Sequence, residues 1–156
     1  MAGGIGFGIQ VGGNALRVLE SAAKAANARL MKVVRKGASR VQRGAKINVK
    51  TKLNTTGLSK GTLGRSIGVV ARPAHLEAEI GPSVIYGRIH EFGGVIKPVK
   101  KKFLSFISTQ GDTAGERVFL RSVTIPKRPY LQPALDDAKP AIERDFEGLV
   151  KDLLED

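Results

Sequence analysis

One apolar stripe at helical spacing runs through about thirty residues in the first third of the chain. Its members recur at three- and four-residue steps, and several are alanine, a strong helix former. They are Leu16, Leu19, Ala23, Ala26, Leu30, Val33, Val34, Gly37, Val41 and Ala45. The stripe is narrow and rich in small residues, so this helix can lie close against a sheet or another helix. Gly37 and Gly44 are candidate positions for a bend or an end.

Short segments with alternating apolar residues predict strands in the rest of the chain. They are residues 5–11, a short extended piece from Ile47, a hairpin turning at Pro73-Ala74, and a long extended hairpin at about 95–125. Residues 126–133 contain three prolines, which predict an extended link. Residues 134–156 then form an amphipathic helix, with Pro140 in its first turn or at a kink.

These elements together predict an α+β fold. A long N-terminal helix packs on a four- to five-stranded antiparallel sheet, followed by a short central helix and a C-terminal helix. The length of 156 residues suits a single domain, 1–156. No apolar run approaches the roughly 20 residues that span a bilayer, so we expect no membrane partner.

Charge is divided unevenly along the chain, whose net charge is +12. Residues 1–72 carry 14 Lys or Arg against one acid, Glu20, whereas residues 133–156 carry 3 basic and 8 acidic residues. A basic front and an acidic back indicate either a polyanionic partner or head-to-tail contact between copies. The basic surface of the long helix is a stripe of Arg29, Lys32, Lys36, Arg40 and Arg43. This stripe contacts DNA or an acidic neighbour, or it is simply a solvated face.

The segment YGRIHEFGG, residues 86–94, places His90 beside Glu91 and raises the question of a catalytic site. Adjacent residues on a helix point about 100° apart and do not converge on one atom. The chain has no cysteine and 2 histidines, and its serines lie in no nucleophile motif. We therefore expect no enzyme activity, no metal and no cofactor. Glu91 is expected to pair with an Arg or Lys, and His90 is expected at a surface or interface.

Three motifs in order carry a resemblance that covers nearly the whole chain. They are Thr56-Gly57 with Leu63 and Ser66-Ile67, then Tyr86–Gly93, then Pro126–Ala134. This arrangement resembles the tail-completion family of long-tailed bacteriophages, also described as neck, head–tail joining or minor tail components. Gly87 departs mildly from the family, in which a small residue such as Ala is usual.

The resemblance implies a virion protein, assembled in the host cytoplasm, that works by binding. It implies a sixfold ring of identical chains at the head–tail junction, which joins the tail to the connector and leaves a channel for DNA. Its partners are then further copies of itself, the connector or head-completion protein, and the tail-tube or tail-terminator protein. A tail terminator, another minor tail protein and a basic nucleic-acid-binding protein remain as alternatives.

The resemblance also implies that YGRIHEFGG is a structural helix ending in a turn. Tyr86, Ile89 and Phe92 are expected to pack inward, Arg88 and Glu91 to stay polar, and Gly93 to let the chain reverse.

Two segments are candidate interfaces. In the stiff link, Arg128, Tyr130 and Leu131 offer a charged donor and apolar anchors to a neighbouring subunit. Alternatively, Tyr130 and Leu131 only seat the C-terminal helix on its own sheet. In the hairpin at 95–125, the lysines 100–102 lie beside Phe103 and suit a partner surface, or they merely protect an edge from aggregation. These hairpin candidates are Lys100, Lys101, Lys102 and Phe103.

Overall fold

The computed structural model of the protein describes residues 13–53, 61–108, 112 and 114–155. The strand predicted at 5–11 and the motif residues Thr56-Gly57 lie outside the described residues. The described part of the chain confirms the α+β class, with a long N-terminal helix, short antiparallel strands and a C-terminal helix.

The first helix, α1, spans Gly13–Lys52 and is 40 residues long. It runs without interruption through both glycines that were candidates for its end. The extended piece predicted from Ile47 is wrong, because the helix continues through it. Val41, Ala45 and Val49 follow one another at four-residue steps and are all buried, so packing overrides the β-branched composition of this last part.

The last helix, α4, spans Leu131–Glu155 and lies antiparallel along α1. Gly37 and Gly44 lie where the two helices meet: a Cβ atom on Gly37 would lie 3.0 Å from Ile142, and one on Gly44 would lie 3.1 Å from Ala134. The glycines thus permit close approach. Because α4 begins at Leu131, Pro133 falls in its first turn, where an N–H has no intrahelical partner. Pro140 lies in the helix interior, so of its two predicted positions, the first turn or a kink, the first is wrong.

In the described part of the chain the strands form three separate two-stranded antiparallel ladders, so the expected single sheet of four or five strands is not found there. After the short helix α2 (Thr62–Ser66), β1 (Ile67–Arg72) pairs with β2 (Glu77–Pro82) through a 3-10 turn at Pro73–His75. The helix α3 spans Gly87–Phe92. Then β3 (Gly94–Ile96) pairs with β6 (Val123–Ile125), and β4 (Leu104–Ile107) pairs with β5 (Arg117–Leu120).

The core lies between α1, α4 and the first hairpin. Its buried members come from α1, α2, β1 and the start of α4, and Tyr130 is the largest of them. They are Val41, Ala45, Val49, Leu63, Ile67, Tyr130, Ala134 and Ala138. None of the helices in the described residues is both long and apolar enough to cross a membrane.

Candidate functional site

Glu91 is a buried acid that connects α3 to the start of α4. Its side chain is on α3, yet its carboxylate accepts the first backbone N–H groups of α4. Oε2 accepts from Tyr130 at 2.7 Å and Leu131 at 2.9 Å, and Oε1 accepts from Gln132 at 3.0 Å. The expected Arg or Lys partner is therefore wrong. A helix N-terminus has unpaired N–H groups and a partial positive charge, and it takes the place of the cation.

Sequence reasoning missed this cap, although one signal pointed to it. No Ser, Thr, Asp or Asn precedes α4, since the segment before it reads KRPY. A helix start that lacks a local side-chain acceptor needs a remote one or water. A buried acid elsewhere in the chain is a natural source.

Tyr130 lies under this cap and is completely buried, with 0% of its surface exposed. Its hydroxyl donates to the carbonyl oxygen of Gly87 at 3.2 Å. Burial, and next the negative charge of Glu91, raise the pKa of Tyr130 to about 12. The prediction that Tyr130 anchors a neighbouring subunit is therefore wrong. Tyr130 seats α4 on its own molecule and presents no surface to a partner. Leu131 is half-buried and packs against the same core.

Gly87 makes this arrangement possible because nothing larger fits. A Cβ atom there would lie 2.4 Å from Cγ of Pro82 and 3.1 Å from the hydroxyl of Tyr130. The side chain of Pro82 is closed into a ring with its own backbone, which is part of β2, so it cannot rotate aside. Pro82 therefore explains why this chain has glycine at position 87, where the resembling family usually has a small residue such as Ala.

The outward face of α3 is apolar, which reverses the orientation predicted from the sequence. Gly87 and Glu91 are four residues apart and share the buried face, so Phe92 turns outward and is 66% exposed. Tyr86 is also exposed, while Ile89 is half-buried. The Arg88 guanidinium lies 5.9 Å from the centre of the Phe92 ring. The predicted inward packing of Tyr86 and Phe92 is therefore wrong.

The end of α3 confirms the structural interpretation of YGRIHEFGG. Gly93 has a φ of 71°, which favours glycine, and its N–H donates to Ile89 at 2.8 Å. A Cβ there would lie 2.9 Å from the backbone nitrogen of Lys127. The turn thus brings the start of the stiff link close against α3.

His90 joins the same contact through its backbone. Its carbonyl oxygen accepts the N–H of Arg128 at 2.8 Å, and its ring meets Tyr86 edge-on at 6.2 Å between centroids. Nδ1 of the ring is covered and has no partner within the described residues. Burial, and next the charge of Arg128, lower the pKa of His90. His90 is thus half-buried and braces the link, while the side chain of Arg128 remains exposed.

The arm, residues 94–125, consists of the ladders β3–β6 and β4–β5. Ile96 and Val123 of the first ladder and Leu104 and Phe106 of the second line a cavity of about 320 Å³. The strands of the arm contact each other far more than they contact the helices. Lys100, Lys101, Lys102 and Phe103 are exposed in the segment between β3 and β4.

The outer face of the arm is the side of β4–β5 that carries Ile107, Arg117 and Phe119. Ile107 is paired with Arg117, and Ser105 with Phe119, so these residues share one side of the ladder. Arg117 also donates to the hydroxyl of Ser105 at 3.3 Å. Phe119 is 61% exposed and Ile107 is exposed as well. A basic residue beside apolar side chains is thus open to a partner.

The basic stripe of α1 is partly used within the chain. Lys36 Nζ lies 2.8 Å from Oδ1 of Asp145 on α4, and Arg40 pairs with Oδ2 of the same carboxylate. The Lys36 and Arg40 hydrogen bonds hold the pKa of Asp145 below its usual range. Part of the contact between the basic front and the acidic back is therefore intramolecular.

The other stripe residues lie in two settings. Arg29 and Lys32 line a groove of about 670 Å³ between α1 and α4, whose far wall includes Asp152 and Glu155. Arg43 is exposed and forms no ion pair among the residues that the structure describes.

The fold and the surfaces together indicate a binding protein. The helix pair encloses a complete core, while the outward face of α3 and the basic, apolar arm are exposed. Residues 34–155 match the model of the phage virion morphogenesis family. The chain belongs to this family, and it is a phage structural or morphogenesis protein. The match covers α1 from its middle onward and all later elements. Neither the curated proteins nor the solved structures include a match.

Proposed function

We propose that the protein is a tail-completion ring component that joins the phage tail to the head. It acts by binding and catalyses no reaction. Copies of the chain form a sixfold ring at the head–tail junction, whose lumen passes DNA. One side of the ring contacts the connector or head-completion protein, and the other contacts the tail-tube or tail-terminator protein. The protein is assembled in the host cytoplasm and remains in the virion.

The observation that carries this proposal is the family match over residues 34–155. Two features support a joining role within that family. Ile85, in the turn before α3, is 96% exposed, and Phe92 on the outward face of α3 is exposed as well. The arm exposes Phe119 and four lysines at 97 and 100–102. Exposed apolar side chains rimmed by charge mark protein interaction sites on a soluble surface.

Arg128, in the link before α4, is a further exposed candidate for the interface. Its backbone is fixed by the contact with His90 while its guanidinium is exposed, so little backbone entropy is lost when it binds. Arg128→Ala is expected to leave the monomer as stable as wild type but to impair joining. Lys46→Ala, at another exposed cation, is the matched control. A destabilised Arg128→Ala monomer, or full joining by it, would remove Arg128 from the interface.

The test of the function is a phage with a stop codon in this reading frame, examined by electron microscopy. The proposal predicts filled heads and separate tails of normal length, and it predicts that added purified protein restores joining. Tails of uncontrolled length would instead identify a tail terminator. Normal, joined particles that lack the protein would exclude a role at the junction.

A further inference from the structure

The outer side of α4 carries a surface that nothing in the described chain covers. Asp136, Glu143, Glu147, Val150 and Leu154 follow one another at steps of three, four and seven residues. They lie opposite the side of α4 that holds Ala134, Ala138 and Ile142 against α1. Leu154 is 82% exposed, and Val150 is also exposed. The last four of these residues, Glu143 to Leu154, are called the outer stripe of α4.

The charges of the outer stripe have few partners within the chain. Glu143 meets Lys139 only at 3.8 Å, and Glu147 forms no hydrogen bond or ion pair with the described residues. The acid on the inward side, Asp145, pairs with Lys36 and Arg40 of α1 instead. A partner for the outer stripe must therefore be both basic and apolar.

The outer face of the arm has this complementary chemistry. It presents Arg117 between two exposed apolar side chains, Ile107 and Phe119. The wider regions are complementary too: residues 94–125 contain 6 Lys or Arg and 2 acids, whereas α4 contains 7 acids and 3 Lys or Arg. Charge complementarity of this kind steers association and fixes its register.

We infer that the outer face of the arm docks on the outer stripe of α4 of a second copy of the chain. In this joint Arg117 meets Glu143 and Glu147, while Ile107 and Phe119 meet Val150 and Leu154. The two surfaces are different, so the contact is heterologous: each chain gives its arm to one neighbour and receives an arm from the other. Such a contact closes into a ring or continues as a chain. This inference rests on the proposed ring.

Duplex DNA is the competing occupant of the arm. A phosphate backbone would pair with Arg117, but it offers no apolar surface to Ile107 or Phe119, and it leaves the acidic outer stripe without a partner. A second copy accounts for both surfaces at once.

Cross-linking tests the contact directly because the chain has no cysteine of its own. Phe119→Cys and Val150→Cys are made in separate chains, mixed and mildly oxidised. The expected product is a disulfide-linked heterodimer. With both substitutions in one chain, the expected product is a ladder that extends beyond the dimer. Phe119→Cys with Asp137→Cys is the control, because Asp137 is exposed on α4 away from the outer stripe.

Three results with chains that carry one substitution each would overturn the inference. They are no cross-link through Val150→Cys, equal cross-linking through Asp137→Cys, and a dominant Phe119→Cys homodimer, which would indicate an arm-to-arm contact. Covalent dimers that stop at two chains in the double variant would also contradict a heterologous joint.

Charge reversal provides a second, independent readout by sedimentation. Arg117→Glu and Glu147→Arg are each expected to weaken self-association at least about tenfold, and the two together in one chain are expected to restore most of it. Lys46→Glu is the control at an exposed residue of α1. No loss with either single variant, or loss of DNA binding with unchanged self-association, would contradict the joint.

The two proposals fail in different ways. If the stop-codon phage shows unjoined tails but the cross-links are absent, the arm docks elsewhere and only this inference falls. If the cross-links form but the phage joins normally without the protein, the contact stands and the proposed function falls.

Discussion

The helix pair α1–α4 and the arm treat their apolar side chains in opposite ways. Where α1 and α4 face each other their apolar side chains are buried, and Ala45 of α1 and Tyr130, directly before α4, are completely covered. The arm leaves Val95, Val99 and Phe119 exposed. The hydrophobic free energy of the helix pair is thus realised in the monomer, while that of the arm is available to a partner. Substitutions where α1 and α4 face each other should change stability, whereas those in the arm, like those in the outer stripe of α4, should change assembly.

Tyr130 and Phe119 give the largest contrast between the two regions. Tyr130→Ala removes a completely buried ring and the hydroxyl that contacts Gly87, and it should cost about 3–5 kcal/mol of unfolding free energy. Phe119→Ala removes an exposed ring and should change the unfolding free energy by less than about 0.5 kcal/mol, while impairing assembly. Urea unfolding followed by circular dichroism measures both. Equal destabilisation by the two substitutions would remove the distinction.

The Glu91 cap gives the next largest effect. Glu91→Ala leaves three N–H groups at the start of α4 without an acceptor and should cost about 3 kcal/mol. Glu91→Gln keeps one acceptor oxygen and should cost clearly less. Urea unfolding of the two variants measures the order. If Glu91→Ala were no worse than Glu91→Gln, the carboxylate would not hold the helix.

Gly87 tests how tightly α3 is fitted to Tyr130. Gly87→Ala puts a methyl group into Pro82 and should cost about 2 kcal/mol through overpacking. Gly148→Ala is the matched control, because nothing lies within 4 Å of a Cβ on Gly148 in α4. There the higher helix propensity of alanine should stabilise the protein by up to about 1 kcal/mol. Thermal melting of both variants should therefore shift in opposite directions, and a neutral Gly87→Ala would contradict the fit.

The smallest effects concern pH and separate His90 from Asp145. The lowered pKa of His90 means that the unfolded chain binds its proton first, so stability should fall as pH drops below about 6.5. The lowered pKa of Asp145 affects stability in a second, more acidic pH range. The stability that Asp145 contributes is lost as pH falls below about 3.8. Unfolding measured across pH should show the upper step disappear in His90→Gln and the lower one in Asp145→Asn. A step at 6.5 that persists in His90→Gln would assign it to another group.

The long helices were predictable because their periodicity extends over many turns. The stripe from Ala23 to Ala45 and the final amphipathic segment both became helices of the α1–α4 pair. The continuation of α1 through Val49 could not be read from local composition, since its cause is burial against residues that are distant in sequence.

The orientation of α3 was mispredicted for a related reason. Six residues are too few for periodicity to identify the buried face, and an apolar Phe92 beside a charged Glu91 suggested the wrong one. The buried side was decided by a long-range cap and by Gly87 against Pro82. Within the described residues the expected single sheet is also divided into three ladders. Arg128 stays a predicted interface residue.

Amide hydrogen exchange tests most directly whether a partner orders the arm while the packing between α1 and α4 is already complete in the monomer. The amides of β4 and β5 should exchange rapidly in the free protein and be strongly protected in the assembled ring or particle. Those in the paired parts of α1 and α4 should be protected in both states. Equal protection of β4 and β5 before and after assembly would contradict the account.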